Sequence, residues 1–348
     1  MKNFNLNTYV RTNVLNLKPY SSARDEYKDI SGEMVFLDAN ENPNENGVNR
    51  YPDPQQKELK TKLGVLKEVS EEQILLGNGS DEILDLIFRA FCEPNIDQII
   101  TLPPTYGMYE VLANLNAIES IKIELNSNFQ PKVDSILEAQ NNRTKLLFLC
   151  SPNNPTSNSF NSEMIEKLIS KFNGIVVIDE AYIDFSNEDS WIKNLFRFPN
   201  LIVTQTLSKA YGMAGIRLGI CYASKEIISI LNSIKPPYNV NELTQQKALL
   251  RLSNLEDTKN EINTILQQRK WLKSELESIQ FVERIFPSDA NFLLVKVDNA
   301  TRRYNELIVK GIVVRNRTNQ PLCENCLRLT VGTKQENIKL ITALKQLK

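Results

Sequence analysis

The chain has 348 residues, enough for a sizeable core and for two domains, or one large domain with an appendage. Apolar residues make up 41% and charged residues 24%, the balance of an ordinary globular protein rather than a disordered one. Lys and Arg number 41 against 42 Asp and Glu; with a net charge of −1, nothing favours nucleic acid or an anionic membrane as partner.

The first forty or so residues read as an arm, expected to pack on the C-terminal part of the chain. No apolar run reaches the ~20 residues that cross a bilayer, and Met1–Thr8 lacks the apolar stretch of a secretory signal. From Glu41 to Lys235 the pattern is that of a large α/β domain. Ser80–Phe91 is an amphipathic helix, with Ser80 as its expected N-cap and Asp81 and Glu82 in its first turn. Short apolar runs follow as strands: Gln98–Leu102, Ile118–Leu125, Lys145–Cys150, Gly174–Asp179, Leu201–Thr206 and Leu218–Ala223. Several are β-branched and apolar on both faces, as buried strands are. Helix-like segments such as Ser162–Phe172 lie between them, which predicts an α/β fold with a mostly parallel sheet covered on both sides. After Lys235-Pro-Pro-Tyr238 the pattern changes. Asn241–Ile279 reads as one long or two shorter helices. Then come a strand (Asn291–Val297), a helix (Thr301–Val309), strands at Ile312–Val314 and Cys326–Val331, and a closing helix, Lys334–Leu347. Residues 236–348, with the arm 1–40, make a smaller α+β domain.

Ligands of open α/β sheets bind outside the carboxyl ends of the strands. Four polar clusters follow strand ends here: Pro103-Pro-Thr-Tyr-Gly107, Ser151-Pro-Asn-Asn-Pro-Thr156, Asp179-Glu-Ala-Tyr182 and Gln205-Thr-Leu-Ser-Lys209. A single crevice is implied by four separate segments. The chain contains no histidine, so no Ser-His-Asp triad, Cys-His pair or histidine metal site can form. Proton transfer rests on Lys, Tyr, Cys or carboxylate groups. Five cysteines, odd in number and scattered, fit reduced thiols in a cytoplasm. Cys323-x-x-Cys326 lacks a second pair and does not make a zinc site, so no metal is expected.

A lysine at one strand end and a carboxylate at the next suit pyridoxal phosphate. Lys209 can form a Schiff base and shuttle a proton, and Asp179 can keep the pyridine nitrogen protonated. Tyr182 and Asn154 can donate to the cofactor's phenolic oxygen. Gly77-Asn-Gly-Ser-Asp81 opens a helix whose free N–H groups, at Ser80 and Asp81 beside Gly79, can take the phosphate. The Asp81 carboxylate must then turn away, toward the helix cap. Thr206 and Ser208 add hydroxyls, Arg217 a bidentate cation, and Tyr106 a ring to stack on the cofactor. Arg315 and Arg328 alternate with apolar neighbours and suit a substrate carboxylate or phosphate. Each has a plainer alternative: a solvated lysine, a capping aspartate, a turn asparagine, a core tyrosine, a surface-facing arginine.

Seven segments together resemble one family. They are Leu37-Asp-Ala-Asn-Glu-Asn-Pro43, Arg50-Tyr-Pro-Asp53, Gly77-Asn-Gly-Ser-Asp-Glu82, Pro103-Pro-Thr-Tyr-Gly-Met-Tyr109, Ser151-Pro-Asn-Asn-Pro-Thr156, Asp179-Glu-Ala-Tyr182 and Ser208-Lys-Ala-Tyr-Gly-Met-Ala-Gly-Ile-Arg217. The family is the histidinol-phosphate aminotransferases, of the fold type I pyridoxal-phosphate enzymes. Phosphothreonine decarboxylases and aromatic aminotransferases on the same scaffold are the near alternatives. The resemblance implies a seven-stranded-type sheet and amino transfer from histidinol phosphate to 2-oxoglutarate, giving imidazole-acetol phosphate and glutamate in histidine biosynthesis. It implies a homodimer in which Tyr51 reaches the partner's cofactor, and a substrate site with Tyr20, Asn291, Arg315 and Arg328. Ser157 stands where that family usually has glycine.

Overall fold

A computed structural model describes residues 4–18 and 35–347; Tyr20 lies outside them. Seven strands form the large sheet: β1 (Ile74–Asn78), β2 (Gln98–Thr101), β3 (Glu119–Lys122), β4 (Thr144–Cys150), β5 (Ile175–Asp179), β6 (Leu201–Thr206) and β7 (Leu218–Ala223). Their order is β1-β7-β6-β5-β4-β2-β3. Pairs from β3 through β6 are parallel, and β7 runs antiparallel between β6 and β1. The sheet is mostly parallel, as its apolar runs predict.

Alternation along β5 shows how the sheet is held. Val176 and Ile178 enter one core with Leu76, Val203 and Leu207. Ile175 and Val177 enter the opposite core with Leu75, Phe88 and Ile202. Successive strand side chains point to opposite faces. All five β5 residues are buried, so both faces must be apolar up to Asp179, where the strand meets the site.

Several expectations shift. β1 is not among the strands expected from the sequence; its Leu-Leu-Gly core carries little β propensity, and pairing with β7 supplies the structure. The next helix begins at Gly79, not Ser80. Asn78 precedes it without a side-chain cap bond, and Glu82 instead accepts from the Asn78 amide at 2.6 Å. The strand around Ile118–Leu125 shortens to β3, at the sheet edge.

The C-terminal part carries a second, antiparallel sheet in the order β10-β11-β9-β8: β8 (Val282–Ile285), β9 (Phe292–Val297), β10 (Arg315–Asn316) and β11 (Cys326–Thr330). Leu293, Val295, Leu327 and Leu329 form its core with helices Leu255–Leu276 and Lys334–Lys345. The segment from Asn241 divides into helices Glu242–Ser253 and Leu255–Leu276, broken at Asn254, whose side chain caps the second. β8 is not apparent in the sequence pattern, and β10 falls one residue beyond the expected Ile312–Val314. The described part of the arm packs on the large sheet's helix layer instead of the C-terminal part. Val10 and Val14 join the core of Phe88 and Phe91, and the Arg11 amide donates to the Ala90 carbonyl at 3.0 Å.

Candidate active site

At the carboxyl ends of β4, β5 and β6 lies a cavity of about 200 Å³, lined by residues from each of the four expected clusters and from the start of the Gly79–Phe91 helix. Lys209, Asp179, Tyr182, Asn154, Tyr106, Ser80, Asp81, Thr206, Ser208 and Arg217 all face it, with Cys150 and Ala181.

Asp179 is 3% exposed. Its Oδ2 accepts from the Tyr109 hydroxyl at 2.8 Å and its Oδ1 from the Ala181 amide at 3.2 Å. Burial pushes its carboxyl above the ordinary aspartate range, while those two donors act the other way. No described cation pairs with it within ion-pair distance, so a cationic group in the cavity would relieve an enclosed acid. The Lys209 amine lies 5.6 Å from the Tyr182 ring centre. Desolvation, and then Arg328, lower its hold on a proton; Asp179 opposes them.

The anion cradle depends on two glycines. Gly79 has φ +75°, a conformation that favours glycine, and its amide donates to the Arg217 carbonyl at 2.8 Å. A Cβ there would lie 2.6 Å from the Arg217 guanidinium. On β7, a Cβ at Gly219 would lie 2.3 Å from the Gly79 carbonyl carbon and 2.4 Å from the Ser80 nitrogen. Together they let the helix start approach the strand and bring the Ser80 and Asp81 amides beside Arg217 and the Ser208 hydroxyl. Arg217 donates to that hydroxyl at 3.5 Å, which leaves the serine proton free to meet an anion.

Two expected roles change. The Asp81 carboxylate does not cap its helix; it accepts from the Tyr106 hydroxyl at 3.0 Å and lies 4.0 Å from Arg217. The Thr206 hydroxyl donates to the Leu218 carbonyl at 3.2 Å and accepts from the Ser208 amide, so it braces the turn.

The expected substrate residues sit around this center unequally. Arg328, on β11, donates to Asn154 Oδ1 at 2.6 Å and bridges to the cavity wall. That bond fixes the Asn154 amide so that its NH₂ can donate elsewhere. Arg315 pairs across the ladder with Arg328 and is exposed. Asn291 immediately precedes β9, its carbonyl accepting from the Val331 amide, and is not a wall of the cavity. Tyr51 lies outside this cavity and stacks on Tyr238, with ring centres 4.5 Å apart.

The model of the family described as aminotransferase class I and II matches residues 23–344. The chain is 63% identical, over the whole of both chains, to a histidinol-phosphate aminotransferase of Flavobacterium johnsoniae. The chain belongs to the class I and II aminotransferases, in the histidinol-phosphate aminotransferase branch. A relative of that name from Parabacteroides distasonis is 55% identical over 99% of each chain. The solved histidinol-phosphate aminotransferase of Clostridium acetobutylicum superposes with a TM-score of 0.79 at 25% identity, covering 86% of this chain and 90% of that one. The fold is that of the fold type I enzymes.

Several residues around the site carry roles that no motif signals. Tyr109, quoted only as part of a motif, is fully buried and holds Asp179; an aromatic three residues after Tyr106 on a helix start was the available signal. Glu180 is 1% exposed and accepts from Ser190, Trp191 and Gln205. Arg317 was hidden because it lies just past the strand expected at Ile312–Val314, and only the pairing of β10 with β11 sets it opposite Cys326.

Proposed function

We propose that the protein transfers the amino group of L-histidinol phosphate to 2-oxoglutarate, using pyridoxal phosphate held at Lys209. The observation that carries this reading is the convergence of Lys209, Asp179 and Arg217 on one cavity in a chain so similar to histidinol-phosphate aminotransferases. The donor set fits the cofactor: an enclosed acid for the ring nitrogen, and helix amides with Arg217 and Ser208 for the phosphate. When bound, pyridoxal phosphate would supply an aldehyde that condenses with the amine and a ring that accepts electrons from the α-carbon.

The chain's own groups do the rest. Lys209, its proton affinity lowered, carries a proton to and from the substrate α-carbon. Asp179 stays oriented through Tyr109 and the Ala181 amide. Tyr182 and the Asn154 amide offer donors to the ring oxygen. Arg328 attracts the anionic end of the substrate. The enzyme is further read as a homodimer, with Tyr51 serving the partner's site, since Tyr51 is exposed and does not line its own cavity. Five unpaired cysteines support a cytoplasmic setting. Among the described residues, no helix is long and apolar enough to cross a membrane.

The test is glutamate formation from L-histidinol phosphate and 2-oxoglutarate. Lys209→Ala should lose the activity by several orders of magnitude, and borohydride followed by peptide mass spectrometry should find the cofactor on Lys209 in the unsubstituted enzyme. Label on another lysine, or carbon dioxide released from phosphothreonine with no glutamate formed, would overturn the reading.

A further inference from the structure

β10 and β11 carry more positive charge toward the cavity than Arg315 and Arg328 account for. In the ladder Arg315 opposes Arg328 and Asn316 opposes Leu327. The Arg317 amide continues it, donating to the Cys326 carbonyl at 2.8 Å. Residues that face each other across a ladder share a side of the sheet, as do alternate residues along a strand. Arg315, Arg317, Arg328 and Cys326 therefore share one side. Leu327 points the opposite way, into the core of the small sheet. Cys326 is buried with Tyr182, Phe292 and Leu294, in the core between the two sheets. The arginine side is thus the side turned to the active site.

The guanidinium groups there are incompletely satisfied. Arg317 Nε and Arg328 Nε are both enclosed and without hydrogen-bond partners. The charge of each favours the ionised form of the Tyr182 phenol in the cavity wall. Burial, then Arg328 and Arg315, bring Arg317 down to about 10. Among the described residues no carboxylate forms an ion pair with any of the three. Clustered like charges without a counterion are unfavourable, and an entering anion would remove the cost.

We propose that Arg317 is a third arm of a guanidinium clamp, with Arg328 and Arg315, that selects a substrate bearing a phosphate monoester over an amine lacking one. Three forked donors match a dianion with three terminal oxygens better than a single carboxylate, which one fork saturates. The inference rests on the amino-transfer reading above and deepens it by assigning a specificity residue.

The experiment compares kcat/KM of the cofactor-loaded enzyme for L-histidinol phosphate and for L-histidinol, in the unsubstituted protein, Arg317→Gln and Arg317→Lys. Losing a hydrogen bond to a charged group should reduce the preference for the phosphorylated amine about tenfold to a hundredfold in Arg317→Gln. The change should fall mainly on KM, and Arg317→Lys, which keeps the charge but not the fork, should restore part of it. An equal loss for both amines would mean that Arg317 only supports the hairpin, and an unchanged preference would mean that it does not touch the phosphate; either overturns the proposal. If the unsubstituted enzyme transfers the amino group of neither amine, the amino-transfer reading has failed on its own. The clamp is then read by phosphorus NMR titration of the cofactor-loaded protein with inorganic phosphate. Binding at least tenfold weaker in Arg317→Gln upholds it, and equal binding overturns it.

Discussion

Replacing Glu180 by glutamine should remove a pH dependence of stability that the wild-type protein carries beside its active site. Glu180 follows Asp179, is 1% exposed, and accepts from Ser190 at 2.5 Å, the Trp191 amide at 2.6 Å and Gln205 at 2.8 Å. Burial raises its carboxyl from 4.5 to about 7, against the pull of those donors. A folded-state value above the unfolded one means that the folded protein holds the proton more tightly. The stabilisation is fully present below pH 4.5 and is lost as pH rises to about 7. The rise from 4.5 to about 7, at about 1.4 kcal/mol for each tenfold change in proton affinity, amounts to about 3 kcal/mol. Glutamine keeps the shape and can still hydrogen-bond its neighbours, but it does not titrate. The assay is urea unfolding of the cofactor-loaded protein between pH 4.5 and 8, at fixed protein and cofactor concentrations. The stability of wild type minus that of Glu180→Gln should fall by about 3 kcal/mol across that range and then level off. Because other titrating groups and the cofactor are common to both proteins, they cancel in the difference. A flat difference would refute the reasoning: the three donors would then offset the whole cost of burying the charge.

Gly219→Ala should push the helix start away from β7, because its Cβ would meet the Gly79 and Ser80 backbone at 2.3 and 2.4 Å; we expect about 1–3 kcal/mol of lost stability and weaker pyridoxal phosphate binding, measured by absorbance titration. Asp179→Asn should slow transamination by about 10²–10³ while the protein stays folded, because an amide cannot offer the negative charge that holds a ring nitrogen protonated; steady-state kinetics and circular dichroism check the two halves. Ser157 sits at φ +66°, and its hydroxyl is 3.0 Å from the Pro287 carbonyl. Ser157→Gly should therefore be more stable than Ser157→Ala by about 1 kcal/mol, since both lose the hydroxyl and only glycine relieves the backbone; thermal unfolding of the pair decides it.

The crevice was legible where it is written locally. Lys209 and Asn154 follow, and Asp179 ends, a strand whose apolar run betrays its burial, and strand ends of such sheets converge. Features set by distant partners were not legible. β1 depends on β7 for its pairing, and the arm's valines depend on Phe88 and Phe91 for their place. The hydroxyl of Thr206 looks available in the sequence and is committed only because β7 returns antiparallel beside it. Arg317 gains meaning only when the hairpin sets it opposite Cys326 and beside Arg328.

Asp179 ends β5 and Lys209 follows β6, whereas Arg328 hangs from β11 of the other sheet. A ligand that engages Lys209 and Arg328 at once is consequently a strut between two separately built halves. Its occupancy should harden the whole molecule against heat and proteases, since binding only the joined form draws the population toward it. A molecule filling only the Arg217 end would leave the two sheets tied by nothing but their own contact.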